Sequence, residues 1–461
     1  MKRTITCLLI YLSAIGPALC GIGDIDKRTY VDWSERPYNN YVRICNRYGC
    51  GTGQFISAAH ILTSKQVANC CGIGKNSECM VYTSDGDKLL SHVIMAGGGL
   101  GSCSFNKLQD IVSGMDWSVL ALNNPNDVKT RIKTRRHGLE YSESTTATRG
   151  LTRAGFGDLK VLSNSDIVAI KDSYDQWLKK VYPLNPVDRM KESRRGADMQ
   201  LLNYDINGQR GRRQYDTFLT EFRNRTGKDF INEYLNDSDK LKAISDCTIK
   251  SGRGGMISHT CDAWRGDSGG AILDYLNRIV AITGSSSQVI AGTGNMNTGV
   301  GINSIAPHFK EVLATPIYAE QYGNNSHIAY TRADGSRFLK SYGSRAWRKN
   351  NPGNIIFAYQ KQAIGRGTRF AVFPTEDIGM SVLRDLLASD AYRNHTIASA
   401  IRKYAPASDN NNPERYARAL ANSMGISINT RIRDLSDRQL EQLANEIKRI
   451  EGWTPGTERE L

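Results

Sequence analysis

Three segments of the sequence carry side chains that together could attack an acyl bond. Ser57-Ala58-Ala59-His60 delivers a histidine after a run of small residues, and Met115-Asp116-Trp117-Ser118-Val119-Leu120 opens an apolar run with an acid. Gly266-Asp267-Ser268-Gly269-Gly270 sets a serine in a glycine-rich loop. A serine hydroxyl is a weak nucleophile near neutral pH, so Ser268 needs a general base; the His60 imidazole, with an ordinary pKa near ~6.5, can take and return the proton. A buried carboxylate such as Asp116 would hold the imidazole tautomer and stabilise the imidazolium. Gly266 lets the loop aim its N–H, together with that of Ser268, at the point where an oxyanion would form. Singly, each element is ordinary: a histidine after two alanines is most often structural, an aspartate before tryptophan a turn residue, and a glycine-rich serine loop is common. Their joint occurrence in this order carries the signal.

The elements that must position these groups look like strands. Short β-branched or aromatic runs at Tyr41–Ile44, Gln54–Ala58, Met80–Thr83, Trp117–Leu122, Ala271–Leu273 and Arg278–Thr283 are separated by Gly, Asn, Asp and Ser clusters, which predicts a β-barrel or sandwich. Residues 171–246 form a charged stretch with a helical pattern (Tyr215, Phe218, Leu219, Phe222), read as an inserted subdomain, a pro-like plug or a docking arm. The 461 residues leave room for several domains; 40% hydrophobic and 23% charged residues with only 12 Pro exclude a disordered chain. With 60 Lys+Arg against 46 Asp+Glu, the net charge of +14 favours an anionic partner. The basic cluster Lys129–His137 reads as a solvated loop, or else as a polyanion site. Gly98-Gly99-Leu100-Gly101-Ser102 lacks the lysine of a phosphate-binding loop, and no cofactor or metal is expected.

Met1–Cys20 begins with Lys2 and Arg3, continues with an apolar run to about Ile15 and ends in small residues, the pattern of a secretory signal peptide. A secreted or periplasmic protein without a transmembrane anchor is expected. Cleavage after Cys20 leaves Cys45, Cys50, Cys70, Cys71, Cys79, Cys103, Cys247 and Cys261, an even set suited to disulfides in an oxidising compartment. Cys247 and Cys261 are the pair expected to bridge one loop. Lys27-Arg28 is a further point at which the chain could be processed.

The order His, Asp, Ser excludes the α/β-hydrolase and subtilisin arrangements. From about Tyr41 to Phe309 the chain resembles the trypsin/chymotrypsin-like serine peptidases, especially their bacterial branch. Cys50-Gly51-Thr52-Gly53-Gln54-Phe55-Ile56-Ser57-Ala58-Ala59-His60 is similar to the strand entering the family's histidine, and Asp116–Leu122 to its acid motif. Cys261-Asp262-Ala263-Trp264-Arg265-Gly266-Asp267-Ser268-Gly269-Gly270 is similar to its nucleophile loop, and Ala306–Leu313 to its closing helix. The resemblance implies a double six-stranded barrel over residues 21–315, with His60, Asp116 and Ser268 catalytic and Gly266 and Ser268 forming the oxyanion hole. It implies a specificity pocket at Asp262, Thr283 and Ser285; Asp262 would favour cleavage after Lys or Arg, although Cys-Asp-x-Trp also resembles glutamyl endopeptidases. No Cys follows His60, so the bridge beside the histidine would be replaced by Cys50 with Cys70 or Cys71. The chain also lacks the Ile-Val-Gly-Gly start whose terminus holds the acid before the serine, which leaves the partner of Asp267 open.

Residues 316–336, with Thr315-Pro316, Gly323-Asn324-Asn325 and Asp334-Gly335, read as a linker. Residues 337–461 then read as a small, mainly helical domain. Thr375 caps a helix with Ile378, Val382, Leu383, Leu386 and Leu387 on one face; Thr396, Asn412 and Ser436 open three more, and Gly425 and Gly452 end the last two. Trp347-Arg348-Lys349-Asn350-Asn351-Pro352-Gly353-Asn354-Ile355 and the segments through Glu451-Gly452 resemble a module of phage structural proteins and cell-wall lytic proteins. The resemblance implies contact with peptidoglycan or another anionic cell-envelope polymer, by binding or by hydrolysis; nucleic acid is not expected. Glycan cleavage would need a protonated acid and a second carboxylate, for which Glu376 and Glu451 are the candidates, with Asp377 third. Trp347, Tyr359 and Phe370 are candidates to stack on sugars. The competing reading is a non-catalytic binding protein on a protease fold, or a bifunctional effector.

Overall fold

The computed structural model describes residues 28–46, 49–68, 71, 78–97, 114–134, 138–142, 149–157, 160–181, 209–234, 237–251, 253–261, 263, 266–284, 297–323, 326–358, 360 and 362–461. The signal-peptide segment, Asp262, Ser285, Tyr359, Cys70 and Cys103 lie outside them. The chain divides into two compact units: Met1–Phe55, Ile61–Leu120 and Leu139–Pro307 form the first, and Ile56–His60, Ala121–Gly138 and His308–Leu461 the second.

In the first unit, β2 (Tyr41–Asn46), β3 (Gly49–Phe55), β4 (His60–Thr63), β5 (Cys79–Tyr82), β6 (Lys88–Ala96) and β7 (Ser118–Leu122) close a barrel in the order β2-β3-β4-β7-β6-β5. β4 continues into the second unit at His60 and β7 at Ala121. The runs read as strands supply most of the interior: Tyr41, Val42, Ile44, Phe55, Val81, Val119 and Leu120 are all buried, joined by Ile61 of β4, which no run had marked. β2 and β3 form a hairpin in which Cys45 stands opposite Cys50, and these two are at disulfide distance. That register corrects the expected bridge from Cys50 to Cys70 or Cys71; Cys71 instead meets Cys79, while Cys247 meets Cys261 as expected.

The second sheet of this unit is not a closed six-stranded barrel. It has eight strands: β1 (Thr29–Tyr30), β8 (Leu151–Gly155), β9 (Lys242–Cys247), β10 (Ile249–Ser251), β11 (Met256–His259), β12 (Ala271–Leu273), β13 (Ile279–Thr283) and β14 (Asn297–Gly301), in the order β1-β9-β8-β12-β13-β14-β11-β10. Leu151, Ile244, Ile249, Ile257, Ile272 and Val280 pack as one buried cluster. β1 widens the sheet at one edge. Arg28, 2% exposed, donates to the Lys160 carbonyl at 3.0 Å, and Thr29 and Tyr30 pair with β9. Processing after Arg28 would therefore have to pull an edge strand out of the sheet.

Between β8 and β9 lie α2 (Asn164–Val181), α3 (Gln209–Thr226) and α4 (Phe230–Tyr234). Phe218 and Phe222, on the predicted face of α3, pack edge-on with Phe230, and Trp177 of α2 and Tyr234 of α4 complete the aromatic cluster. The helical region thus starts before residue 171, and its expected last residues belong to β9.

The second unit contains α1 (Pro125–Lys133), the greater part of α5 (Ala306–Ala314), and a six-stranded sheet with helices. β15 (Pro316–Tyr322), β16 (His327–Arg332), β17 (Arg337–Ser341), β18 (Gly365–Gly367), β19 (Phe370–Val372) and β20 (Thr457–Glu460) lie in the order β19-β18-β15-β16-β17-β20. The stretch 316–336, expected as a linker, therefore holds β15 and β16. Its turn residues close hairpins: Gly323 and Gly335 adopt φ of 64° and 87°, and the Ser336 N–H donates to Asp334 Oδ1 at 2.8 Å.

After α6 (Arg345–Arg348) come α7 (Glu376–Ala388), α8 (Ile397–Tyr404), α9 (Pro413–Met424) and α10 (Asp437–Ile450). Thr375, Thr396, Asn412 and Ser436 cap them as their side-chain types predicted. Leu383, Leu387, Ile401, Leu420, Leu443 and Ile447 fill the core among them. The basic run from Lys129, expected as a solvated loop, continues α1 as far as Lys133; Asn124 caps that helix, Pro125 opens it, and Arg131 is buried. Among the described residues no helix is long and apolar enough to cross a membrane.

Candidate active site

His60 sits at the end of a tight loop between β3 and β4. Ser57, fully buried, organises that loop: its Oγ accepts from the Ala59 N–H at 3.1 Å and the His60 N–H at 3.0 Å, and lies 3.1 Å from His60 Nδ1. The Ile56 N–H donates to the His60 carbonyl at 2.9 Å and closes the turn. The small residues Ala58 and Ala59 allow the chain to fold tightly around the buried hydroxyl, which meets the ring of the imidazole, 5% exposed, at Nδ1.

Asp116 and Ser268 meet at Gly284. Asp116 is 1% exposed; its Oδ1 accepts from the Gln66 N–H at 3.3 Å, and its Oδ2 lies 3.0 Å from where a Cβ on Gly284 would stand. Ser268 Oγ donates to the Gly284 carbonyl at 3.4 Å. Any side chain at position 284 would press on the acid.

The serine loop is latched from both sides. The Thr52 N–H donates to the Ser268 carbonyl at 2.9 Å, and Thr52 Oγ1 donates to the Gly266 carbonyl at 2.7 Å while accepting from the Phe156 N–H at 2.9 Å. The Gly269 N–H donates to Thr283 O at 2.7 Å, and the Thr283 N–H to Gly270 O at 2.8 Å, which joins the loop to β13. Gly266 has φ 95°, and a Cβ there would stand 2.3 Å from Phe156 O, so only glycine fits. Among the described residues, the N–H groups of Gly266 and Ser268 donate to no other backbone group.

Asp267, whose partner the sequence left open, is met by Arg153 of β8: Nη2 lies 3.0 Å from Oδ2, and the two side chains are 0% and 1% exposed. Gly155 makes the approach possible, since a Cβ there would stand 2.4 Å from Asp267 Oδ1. Close by in charge is His259 of β11, fully buried, whose pKa burial and the charge of Arg153 push down to about 3. An arginine inside a strand otherwise of small and apolar residues, Leu151-Thr152-Arg153-Ala154-Gly155, was the signal that could have marked this pair. Thr52 and Ser57 left no signal beyond their place in the histidine strand.

Thr283 of the expected specificity pocket is 2% exposed at the end of β13; Asp262 and Ser285 lie outside the described residues. In the second unit, the C-terminal acids are already engaged. Glu376 pairs with Lys448. Glu451 accepts from Tyr416 OH at 3.1 Å and from Asn354 Nδ2 at 2.8 Å. Trp347 and Phe370 are buried, at 8% and 6% exposure; Lys340 lies over the Trp347 ring and Arg345 over that of Phe370. Neither ring is open to a sugar. Among the described residues no group of three or more His, Cys, Asp and Glu is arranged to hold a metal.

No known protein family matches the chain, and no curated protein matches it. Among solved structures it is similar to a Glu endopeptidase in complex with MPD, with a TM-score of 0.35 and 15% identity over 62% of this chain and 95% of that one. It is also similar to an inactive form of Rv3671c from M. tuberculosis H37Rv, with a TM-score of 0.27 and 11% identity over 59% of this chain and 86% of that one.

Proposed function

We propose that the chain is a secreted serine endopeptidase with a trypsin-like arrangement of its two β-sheets and a C-terminal module that binds the cell envelope. Ser268 Oγ attacks the peptide carbonyl as His60 takes its proton; His60 then returns the proton to the leaving amine, and water repeats the cycle on the acyl-enzyme. Asp116, buried, stabilises the imidazolium that forms between these steps. The Gly266 and Ser268 N–H groups receive the oxyanion, and Arg153 neutralises the intervening Asp267 so that the loop keeps its shape.

The observation that carries the reading is the convergence of Asp116 and Ser268 on Gly284, beside a serine loop whose Gly266 and Ser268 N–H groups have no backbone acceptor among the described residues. The direct test is covalent labelling of the oxidised protein by a fluorophosphonate. Labelling at Ser268 that is abolished in Ser268→Ala and His60→Ala is expected; a wild-type chain that stays unlabelled rules the proposal out. The peptides released by the active protein would show whether cleavage follows Lys or Arg, as Asp262 suggests, or Glu.

For the C-terminal module, binding is favoured over glycan cleavage. A general acid must hold a proton to give, whereas Glu451 uses both oxygens as acceptors and Glu376 is tied to a lysine. Ser268→Ala protein mixed with purified peptidoglycan should sediment with it and release no new reducing ends. Sugar products in that experiment would make the module a second enzyme.

A further inference from the structure

Arg131 is a basic residue that the fold buries, at 6% exposure, and its Nε donates to the Ala58 carbonyl at 3.1 Å. Ala58 lies in the loop that sets the His60 ring. The same loop is held from its other side, where the Leu122 N–H at the end of β7 donates to Ala59 O at 3.0 Å, just before the chain enters α1. Two residues before Arg131, and on the same helix, Lys129 Nζ lies 3.1 Å from Glu320 Oε2 and 5.4 Å from the centre of the Tyr318 ring, both on β15. Tyr318 OH donates to the same carboxylate oxygen at 3.1 Å, and Arg337 of β17 reaches the other at 3.4 Å. Glu320 thus gathers a cation from α1 and one from the sheet. Hydrogen bonds that its ammonium donates to Tyr318 and Glu320 hold Lys129 above its ordinary pKa.

We propose that the C-terminal sheet positions the histidine loop: β15 holds α1 through Glu320 and Lys129, and α1 holds the Ala58 carbonyl through Arg131. Lys129 and Arg131 are positioning residues that touch no reacting atom. The consequence for catalysis rests on the peptidase reading; the mechanical link does not. A carbonyl two residues before His60 is close enough for a small shift there to move the imidazole, and misplacement of a reacting group by ~1 Å costs on the order of a hundredfold in rate.

The test uses the full chain and two readouts: hydrogen exchange of the Ala59 and His60 amides, and the rate of fluorophosphonate labelling. Glu320→Lys puts a third cation beside Lys129 and Arg337 at a half-exposed site. It should speed exchange of the two amides and slow labelling about fivefold, the scale of an exposed ion pair, and Lys129→Glu combined with Glu320→Lys, which re-forms the pair to α1 but leaves two cations at 320 and 337, should restore both in part. Arg131→Met should act in the same direction about tenfold, with Arg131→Lys in between and the labelling pH profile displaced. Should Arg131→Met fail to fold, the Glu320→Lys variant and the exchanged pair decide the matter. Unchanged exchange in Glu320→Lys, or an exchanged pair that restores nothing, overturns the proposal. Exchange that responds in a chain that is never labelled upholds the link and removes the peptidase reading instead.

Discussion

Replacing Arg153 by Met keeps most of the stem and removes the charge that faces Asp267. The two groups lie 3.0 Å apart at 0% and 1% side-chain exposure, so water cannot take over the arginine's part. Removing one member of a buried pair typically costs about 3–5 kcal/mol, because the other keeps its desolvation penalty. The loss should be felt in two ways. Global stability falls by that order. The serine loop is also disturbed, since Asp267 lies between the two proposed oxyanion donors and its carbonyl accepts from the Gly270 N–H at 3.1 Å. Losing one donor from an oxyanion hole costs about 2.7–4 kcal/mol in the barrier, or roughly 10²–10³ in rate. Four proteins suffice: the parent, Arg153→Met, Asp267→Asn and the double variant, each followed by thermal unfolding and by fluorophosphonate labelling. Arg153→Met should be the least stable, and the double variant should recover much of the loss because no buried charge remains. Labelling should be depressed in every variant that moves the loop. An Arg153→Met protein as stable and as quickly labelled as the parent, or a double variant no more stable than Arg153→Met, refutes the assignment of Arg153 as the partner that holds Asp267.

His259 supplies a pH signature. Its folded pKa is pushed down to about 3, below the ordinary 6.5, so below about 6.5 the unfolded chain binds a proton that the folded chain does not, and stability is lost as pH falls. At ~1.36 kcal/mol per unit the loss reaches roughly 4 kcal/mol near pH 3; unfolding of the parent and His259→Gln should converge on acidification, and parallel pH profiles would show that His259 is not the group. Thr52→Val keeps shape but removes the hydroxyl shared by Gly266 O and the Phe156 N–H, which should cost about 1–3 kcal/mol and slow labelling of Ser268; a normally labelled variant would mean the latch is dispensable. A fragment starting at residue 335 lacks β15 and β16, the two middle strands of the six-stranded sheet. It should melt without cooperativity, whereas one starting at residue 308 keeps all six strands, and a cooperative transition in the shorter fragment would contradict the placement of those strands.

Much of the architecture could be read from local signals. Five of the six strand runs named from β-branched spacing fall on observed strands, whereas Gln54–Ala58 joins β3 only as far as Phe55 and then forms the loop before His60; the capping residues of α7 to α10 fixed the starts of those helices because a side-chain oxygen three residues ahead of an N–H is a local event. The strands β15 and β16 were missed because turn residues at Gly323 and Asp334-Gly335 look the same in a linker and in hairpins; only pairing across the sheet tells them apart. The helix α1 was missed because its charges were weighed more heavily than its Asn124-Pro125 start. At the candidate site, the proposal of His60, Asp116 and Ser268 rests on residue type and order in the sequence. Arg153, Thr52 and Arg131 were not legible there, since each acts on a residue brought near by long-range folding, and Arg153 reaches Asp267 across 114 positions of sequence; Ser57 acts on its neighbours Ala59 and His60, but a serine in a strand end carries no mark of that role. The aromatic residues expected to stack on sugars were legible as aromatic but not as buried.

The second unit is written in three separate pieces of chain, with Ile56–His60 near the start and His308–Leu461 at the end. A ribosome therefore releases the histidine loop more than two hundred residues before it makes β15. At ~5–20 residues per second the delay is on the order of tens of seconds. For most of that interval α1 is already made but the sheet that holds it is not, and the serine loop itself is finished before the last strands arrive. A chain cut short before residue 316 would carry Ser268, Asp116 and His60 and yet lack the support for one of them. Under the proposed link, the histidine loop gains its full support only once the chain has been made through β15.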